Sequence, residues 1–349
     1  MDHSGAAAFI YAKASGMLAK SFIGTRAAKL FEVRSLPELW TLVFKTEVPM
    51  VPEVLLAKKI EQEAESRFLC DYTSLLRNYS KPDSVLVELV RFYDYDNLKD
   101  IAAFLSVNKS SSHAQTMPQL ADIGEFSMFD YTKWPDIAAI TAGSPVSWYD
   151  SVPEFSRQQE LDTKLDLQYI RRLWASIRKL PAAERRPVES LIKDEIVMYN
   201  IIWALRLKVY YGMSNERILD RLASAGGAET ARSLAQDPLS GPAVKMLDFA
   251  VDSYAEWENW KYAGFLNLHE EGVVWEADPR WIQQSAKTAL NRKALRQFHQ
   301  HPFTACVLVS WFKIKQYELD CIRTAAEGLR LNVSQDQVKH FAGVADAQS

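Results

Sequence analysis

Apolar residues in this chain recur three and four positions apart over long runs, and no stretch alternates with the two-residue period of a strand. The runs at 53–78, 155–180, 187–211 and 303–328 each have one apolar stripe, as an amphipathic helix requires. Only 13 glycines and 14 prolines punctuate 349 residues, which suits long helices better than many tight strand turns. The fold class expected from this pattern is all-α.

Further helices are expected within the first thirty residues, from Pro82 to Leu105, as short pieces over 119–150, at 243–268, at 279–298, and from Ser334 onward. Ser35-Leu36-Pro37-Glu38 has the form of a capping box, with Ser35 able to cap free amides and Glu38 able to reach back. The polar, serine-rich stretch 106–118 reads as a linker, and 235–242 as a second break.

Several function classes lack their residues. Net charge is -3, so no general basic excess marks a nucleic-acid surface. The apolar runs fall short of the roughly 20 residues that a membrane-spanning helix needs. The opening MDHSGAAAFIYAK is acidic where a secretory leader is basic. Cys70, Cys306 and Cys321 are scattered, which suits a reducing compartment and gives no zinc spacing. GxxxxGK[ST], GxGxxG, HExxH and GxSxG are all absent, so no cofactor or metal is expected. Asp94, Asp96 and Asp100 in DYDNLKD resemble the acidic helices of some all-α magnesium enzymes, although the stretch is not DDxxD. His269, His299 and His301 are expected to face solvent or cap helices. Most of the clustered Trp257, Trp260, Trp275 and Trp281 are expected to pack in a core.

Three stretches echo one another. Tyr199-Asn200-Ile201 precedes Gly212-Met213-Ser214, and Cys321-Ile322-Arg323 precedes Asn332-Val333-Ser334. In both, a residue tolerant of the left-handed region ends one helix and a serine starts the next. Asp94-Tyr95-Asp96-Asn97-Leu98-Lys99 aligns Asn97 with Asn200 and Cys321, at separations of 103 and 121 residues. Such helix-end signals occur in any α-protein, so the residues alone leave open whether a repeat underlies them. Asp320 and Arg323 are spaced to pair along one helix. Glu318 lies beside the Leu308, Phe312, Leu319 and Ile322 stripe, where it could flank a seam or satisfy another segment's polar group.

The stretch from Lys315 to Gly328, KQYELDCIRTAAEG, followed by Asn332-Val333-Ser334-Gln335-Asp336-Gln337-Val338, resembles the C-terminal signature of the C subunit family of the V-type and A-type rotary ATPases. That family is the counterpart of the d subunit of the eukaryotic V-ATPase membrane sector. His301-Pro302-Phe303 is similar to the family's entry to that helix. Asp94 to Lys99 and Asp194 to Lys208 look like the first and second copies. Tyr11-Ala12-Lys13-Ala14, Ser35 to Leu39 and Thr46 also fit. Cys321, Gln316, Leu329 and Gly16 depart from the pattern.

The resemblance implies three similar helical domains around a pseudo-three-fold axis, forming a funnel, here 1–116, 117–222 and 223–349. It implies a non-catalytic subunit on the cytoplasmic face of the membrane, without a cofactor or small-molecule substrate. Its partners would be the D and F subunits of the central stalk and the membrane proteolipid ring. Asp94, Lys99, Arg206, Lys208, Glu318 and Arg323 are then candidates either to hold helix seams or to line the funnel. The residues themselves also allow each to pair within the chain, and allow a helical adaptor with another partner or an enzyme using Asp94 and Asp96.

Overall fold

The computed structural model describes residues 3–107, 117–226, 230–270 and 272–344. Most of the expected linker, 106–118, lies outside them. All regular structure among these residues is helical, in agreement with the all-α expectation. The first part comprises α1 (His3–Leu18), α2 (Leu36–Phe44), α3 (Glu53–Leu76), α4 (Ser84–Val90) and α5 (Phe92–Val107). After α6 (Ile137–Thr141) come the long α7 (Phe155–Ile177) and α8 (Ala182–Val209). Short elements α9 (Asn215–Leu219), α10 (Ala231–Gln236), α11 (Gly241–Met246) and α12 (Tyr254–Trp257) precede α13 (Pro279–Gln300), α14 (Ala305–Arg330) and α15 (Gln335–Phe341).

The long helices come in pairs. Pro82, Pro181 and Pro302 stand in the turns between α3 and α4, α7 and α8, and α13 and α14. A proline cannot donate the next helical hydrogen bond, which suits these turns, although Pro187, the expected start of the helix over 187–211, lies inside α8. The first helix of each pair lies on the second helix of the preceding pair: α7 on α4 and α5, and α13 on α8. The circle closes because α3 lies on α14.

Helix α14 is the most enclosed element, with Ala305 to Ile314 all buried. Such a segment needs neighbours on every side, and α3, α4, α8 and α13 supply them. On the α3 side, Phe312 meets Phe68 and Tyr72 at ring distances of 5.0 and 4.8 Å, and Trp311 stacks on both. Residues 24–31, a 3₁₀ segment, and α1 and α2 also pack on α14, so the start of the chain covers its end. Two smaller apolar cores lie apart from this large one. One joins Tyr95–Ala102 to Phe129, Ile140 and Leu165, and the other joins Val197–Leu207 to Met246, Trp257 and Ile282. Each crosses one of the limits expected between domains.

The echo has a physical basis in two of its three copies. Asn97 Nδ2 donates to the Ala121 carbonyl, and Ala121 N donates back to Asn97 Oδ1, both at 2.8 Å. Asn200 makes the same pair of bonds with Ala223, both at 2.8 Å, and a third to the Leu239 carbonyl at 3.0 Å. An asparagine amide has a donor and an acceptor side by side, so it can hold both backbone polar groups of one residue. Cys321 has no such pair to offer, and burial, with Asp320 beside it, pushes its thiol up to about 12.

The helix ends follow the expected grammar in part. Gly212 and Asn332 both adopt positive φ, at 55° and 53°. The next helices start immediately after Ser214 and Ser334, yet neither serine side chain caps an amide. Ser35 does accept from Glu38 N, but Glu38 accepts from Arg34 N and so completes no box with Ser35. The expected helix over 243–268 is broken into short helical pieces around Trp257, whose indole donates to the Ala250 carbonyl at 2.7 Å. Trp260 and Trp275 pack on Trp257 there, whereas Trp281 faces His340 instead. Tertiary burial of large aromatics overrides local propensity in this stretch.

Candidate functional site

Position five before each aligned residue, on α5, α8 and α14, is Phe92, Glu195 and Gln316. All three line a single cavity of about 300 Å³. The second helices of the three pairs therefore meet around one polar hollow. Its walls mix Glu65, Asp96, Glu195 and Asp320 with Lys287, Lys313 and Arg323.

Most of these wall charges are tied to a facing helix. Lys313 donates to Glu195 at 2.8 Å, joining α14 to α8, and Lys287 donates to Asp320 at 2.6 Å, joining α13 to α14. Arg323 bonds Glu65 across the α14–α3 seam. Asp320 and Arg323 thus do not pair with one another, although their spacing allows it. Each finds a carboxylate or ammonium on a facing helix, where the side chain has less far to bend. Burial raises the Glu65 pKa despite the opposing Arg323, and raises that of Asp96 despite Lys99.

The six candidate charges are dispersed, and each has a partner within the chain. Lys99 bridges Asp96 at 3.2 Å and Asp166 on α7 at 2.5 Å. Desolvation lowers its pKa, but the two carboxylates outweigh this and leave it raised. Arg206 donates to Gln283, across the α8–α13 seam. Lys99, Arg206 and Arg323 therefore each reach from the second helix of one pair to the first helix of the next. Of the six, only Arg323 lines the central cavity.

The other three fix local structure. Asp94 is fully buried and accepts from Ser127 Oγ, Met128 N and Tyr131 Oη at 2.7 to 2.9 Å. Burial raises its pKa, with those three bonds pulling the other way. Asp96 serves Lys99 instead, so Asp94 and Asp96 of DYDNLKD do not act together. Among the described residues no group of three or more His, Cys, Asp or Glu is placed to hold a metal ion. Lys208 Nζ donates to the Leu247 and Phe249 carbonyls at 2.6 and 2.8 Å. Desolvation lowers its pKa, opposed by Asp248 and Glu256. Glu318 accepts from Phe22 N at 2.5 Å and pairs with Lys315. It satisfies a backbone amide of the segment after α1, which answers why a carboxylate sits beside the apolar stripe.

Sequence reasoning missed Glu65, Asp166, Glu195, Lys287 and Lys313. Nothing local separates them from solvated helix charges, because their partners lie 33 to 258 residues away. Asp162, one turn before Asp166, was missed as well. One of its carboxylate oxygens is buried without a hydrogen-bond partner among the described residues. Burial raises its pKa, Lys99 opposes this, and Asp166, Asp100 and Asp96 add to it.

A carboxyl whose folded pKa exceeds its unfolded value, about 3.9, stabilises the fold fully below that value and loses the contribution as pH rises through the folded pKa. Asp162→Asn removes this loss. The variant is expected to exceed the parent in stability at pH 7, with the gap closing below about pH 4. Urea unfolding at both pH values checks this, and an equal gap at the two would contradict it.

The family model described as ATP synthase (C/AC39) subunit matches residues 10–341. A protein of Treponema pallidum (strain Nichols), described only as uncharacterized, is 32% identical over 344 residues, covering 97% of this chain and 96% of its own length. No helix among the described residues is long and apolar enough to cross a membrane.

Proposed function

The chain belongs to the ATP synthase (C/AC39) subunit family, and from that premise we propose that it is the central-stalk coupling subunit of a V-type or A-type rotary ATPase. It links the axle formed by the D and F subunits to the membrane proteolipid ring, on the cytoplasmic face, as a peripheral component. It transmits torque for proton or sodium transport and catalyses nothing itself, without cofactor. Its three helix pairs form the three repeated units of a funnel that receives the axle tip.

The observation that supports this most is the closed circle of helix pairs around a cavity lined by Phe92, Glu195 and Gln316. A torque coupling needs stiffness around a hollow, and long helices packed edge to edge in a closed circle supply both. Charge pairs at each seam, Lys99–Asp166, Lys293–Asp194 and Arg323–Glu65, resist sliding of one pair past the next, each weakly, but together around the circle. A contact with a ring of many copies, whose symmetry this chain does not share, favours distributed polar interactions over one deep apolar socket.

Affinity purification of the tagged chain from cells that make the whole complex tests the assignment. The D and F subunits and the proteolipid ring are expected to come with it at constant ratio. Recovery of a different partner, with none of these, would favour an adaptor and overturn the assignment.

A further inference from the structure

Contacts across the three seams fix the direction of the long helices. Lys99 meets Asp166 and Ser106 meets Gln158 between α5 and α7. Lys293 meets Asp194 and Arg206 meets Gln283 between α8 and α13. Arg323 meets Glu65 and Phe312 meets Phe68 between α14 and α3. In each seam later residues of one helix face earlier residues of the other, so the helices alternate up and down around the circle. The turns at Pro82, Pro181 and Pro302 therefore stand together at one end.

That end concentrates positive charge, although the whole chain has a net charge of -3. Lys81, Arg178, Lys179 and Arg186 are exposed there and form no ion pair with a described residue. The α7–α8 turn is the most crowded, because Arg185 folds back and donates to the Arg178 and Leu180 carbonyls at 2.9 and 3.0 Å. Glu184, the only carboxylate between Arg178 and Arg186, accepts from Ala305 N at 2.8 Å. Arg185 and Arg186 lie near the start of α8, where the helix dipole disfavours a cation, so helix stability does not account for them. In the α13–α14 turn, Phe303 has a φ of 63°, a region that bulky residues rarely take, and it stays 54% exposed beside Tyr11. The opposite end differs: Met50, Phe155 and Val274 stand at or before the starts of α3, α7 and α13, at 83% to 103% exposure.

We propose that the turn end faces the membrane and rests on anionic lipid headgroups beside the proteolipid ring, through Lys81, Arg178, Lys179 and Arg186, with Phe303 entering the headgroup layer. This rests on the coupling-subunit reading, which puts the chain at the membrane surface. Charge complementarity selects the occupant. The cytoplasmic leaflet is negative, and each Lys or Arg held near it adds to the attraction. The cations belong to two turns and the exposed ring to the third, so a plane meets all of them at once, whereas a single acidic segment of a protein would reach only one turn. Cations beside an exposed aromatic are also the composition of a contact that lies in the headgroup layer without spanning the bilayer.

Sedimentation of the full-length chain with vesicles of phosphatidylcholine, with and without phosphatidylglycerol, tests this. The chain is expected to bind the anionic vesicles about tenfold or more tightly than the neutral ones, and added salt is expected to weaken that binding. Arg178→Ala combined with Lys179→Ala changes two exposed side chains and is expected to weaken anionic binding about tenfold or more. Lys58→Ala combined with Lys59→Ala, also exposed but near the start of α3 at the opposite end, is expected to leave it unchanged. Binding to neither kind of vesicle overturns the inference. Equal binding to both overturns it too, and points to the apolar end instead. An Arg178 and Lys179 variant that keeps its vesicle binding but loses the ring on copurification assigns the cations to an acidic protein surface, which also overturns it. The coupling reading fails separately, when the parent chain brings down neither the D and F subunits nor the ring.

Discussion

Asn200→Ala is expected to lower the stability of the fold by about 3–5 kcal/mol, since each stranded buried polar group costs about 1–3 kcal/mol. Asn200 is fully buried, as are Ala223 and Leu239. Its side chain holds the Ala223 N–H and carbonyl and the Leu239 carbonyl. Alanine leaves all three backbone groups without a partner in a site closed to solvent. Asn97→Ala breaks the matching bonds to Ala121, but Ala121 is half-buried, so solvent recovers part of the loss. The Asn97 variant should therefore lose less. Chemical unfolding of both variants decides the matter. A loss under about 1 kcal/mol for Asn200→Ala would show that the segment after α9 is held by its apolar contacts alone.

Phe312→Ala is expected to cost about 3–5 kcal/mol, the usual range for deleting a fully buried ring. Phe312 lies between Phe68 and Tyr72 on the seam that closes the circle. The ring deletion leaves a hole that rigid helices on four sides cannot collapse into. At the same seam Arg323 is 40% exposed and its partner Glu65 25% exposed. Solvent screens that pair, so Arg323→Met should cost no more than about 1 kcal/mol. The comparison separates two accounts of what closes the circle. If Arg323→Met proves the more damaging, the seam is electrostatic and the packing account is wrong. If Phe312→Ala dominates, the ion pair sets the register of the seam and the aromatic cluster supplies its strength.

Much of the fold is legible in the sequence because helices announce themselves locally. The stripe from Leu308 to Ile322 and the prolines at 82 and 302 place α14 and two of the turns without any knowledge of neighbours, whereas the helix expected from 187 starts at Ala182 and carries Pro187 inside it. The left-handed residues Gly212 and Asn332 are legible for the same reason, since only a few residue types tolerate that geometry. The stretch 243–268 misleads because its apolar spacing suits one helix, while the chain around the buried Trp257 breaks into short helical pieces.

The candidate site is far less legible. Asp320 and Arg323 have the spacing of an intrahelical pair, yet they serve Lys287 and Glu65. A charge on a helix shows only which way it points, and the sequence does not say what arrives there. The same holds for Trp203, whose buried and unpartnered N–H has no signature in the sequence.

The order of residues alone settled that this chain is helical and where most of its long helices run, and it aligned Asn97 with Asn200 while leaving open whether a repeat underlies them. Those properties follow from interactions within a few residues, which the order of side chains fixes directly. The folded arrangement alone decided that α3 returns to α14 and that a cavity, not a second charge pair, lies beside Ile202 in the α8–α13 seam. Both depend on which surfaces meet after the chain has folded back over hundreds of residues, and there shape and burial, not spacing, select the partner.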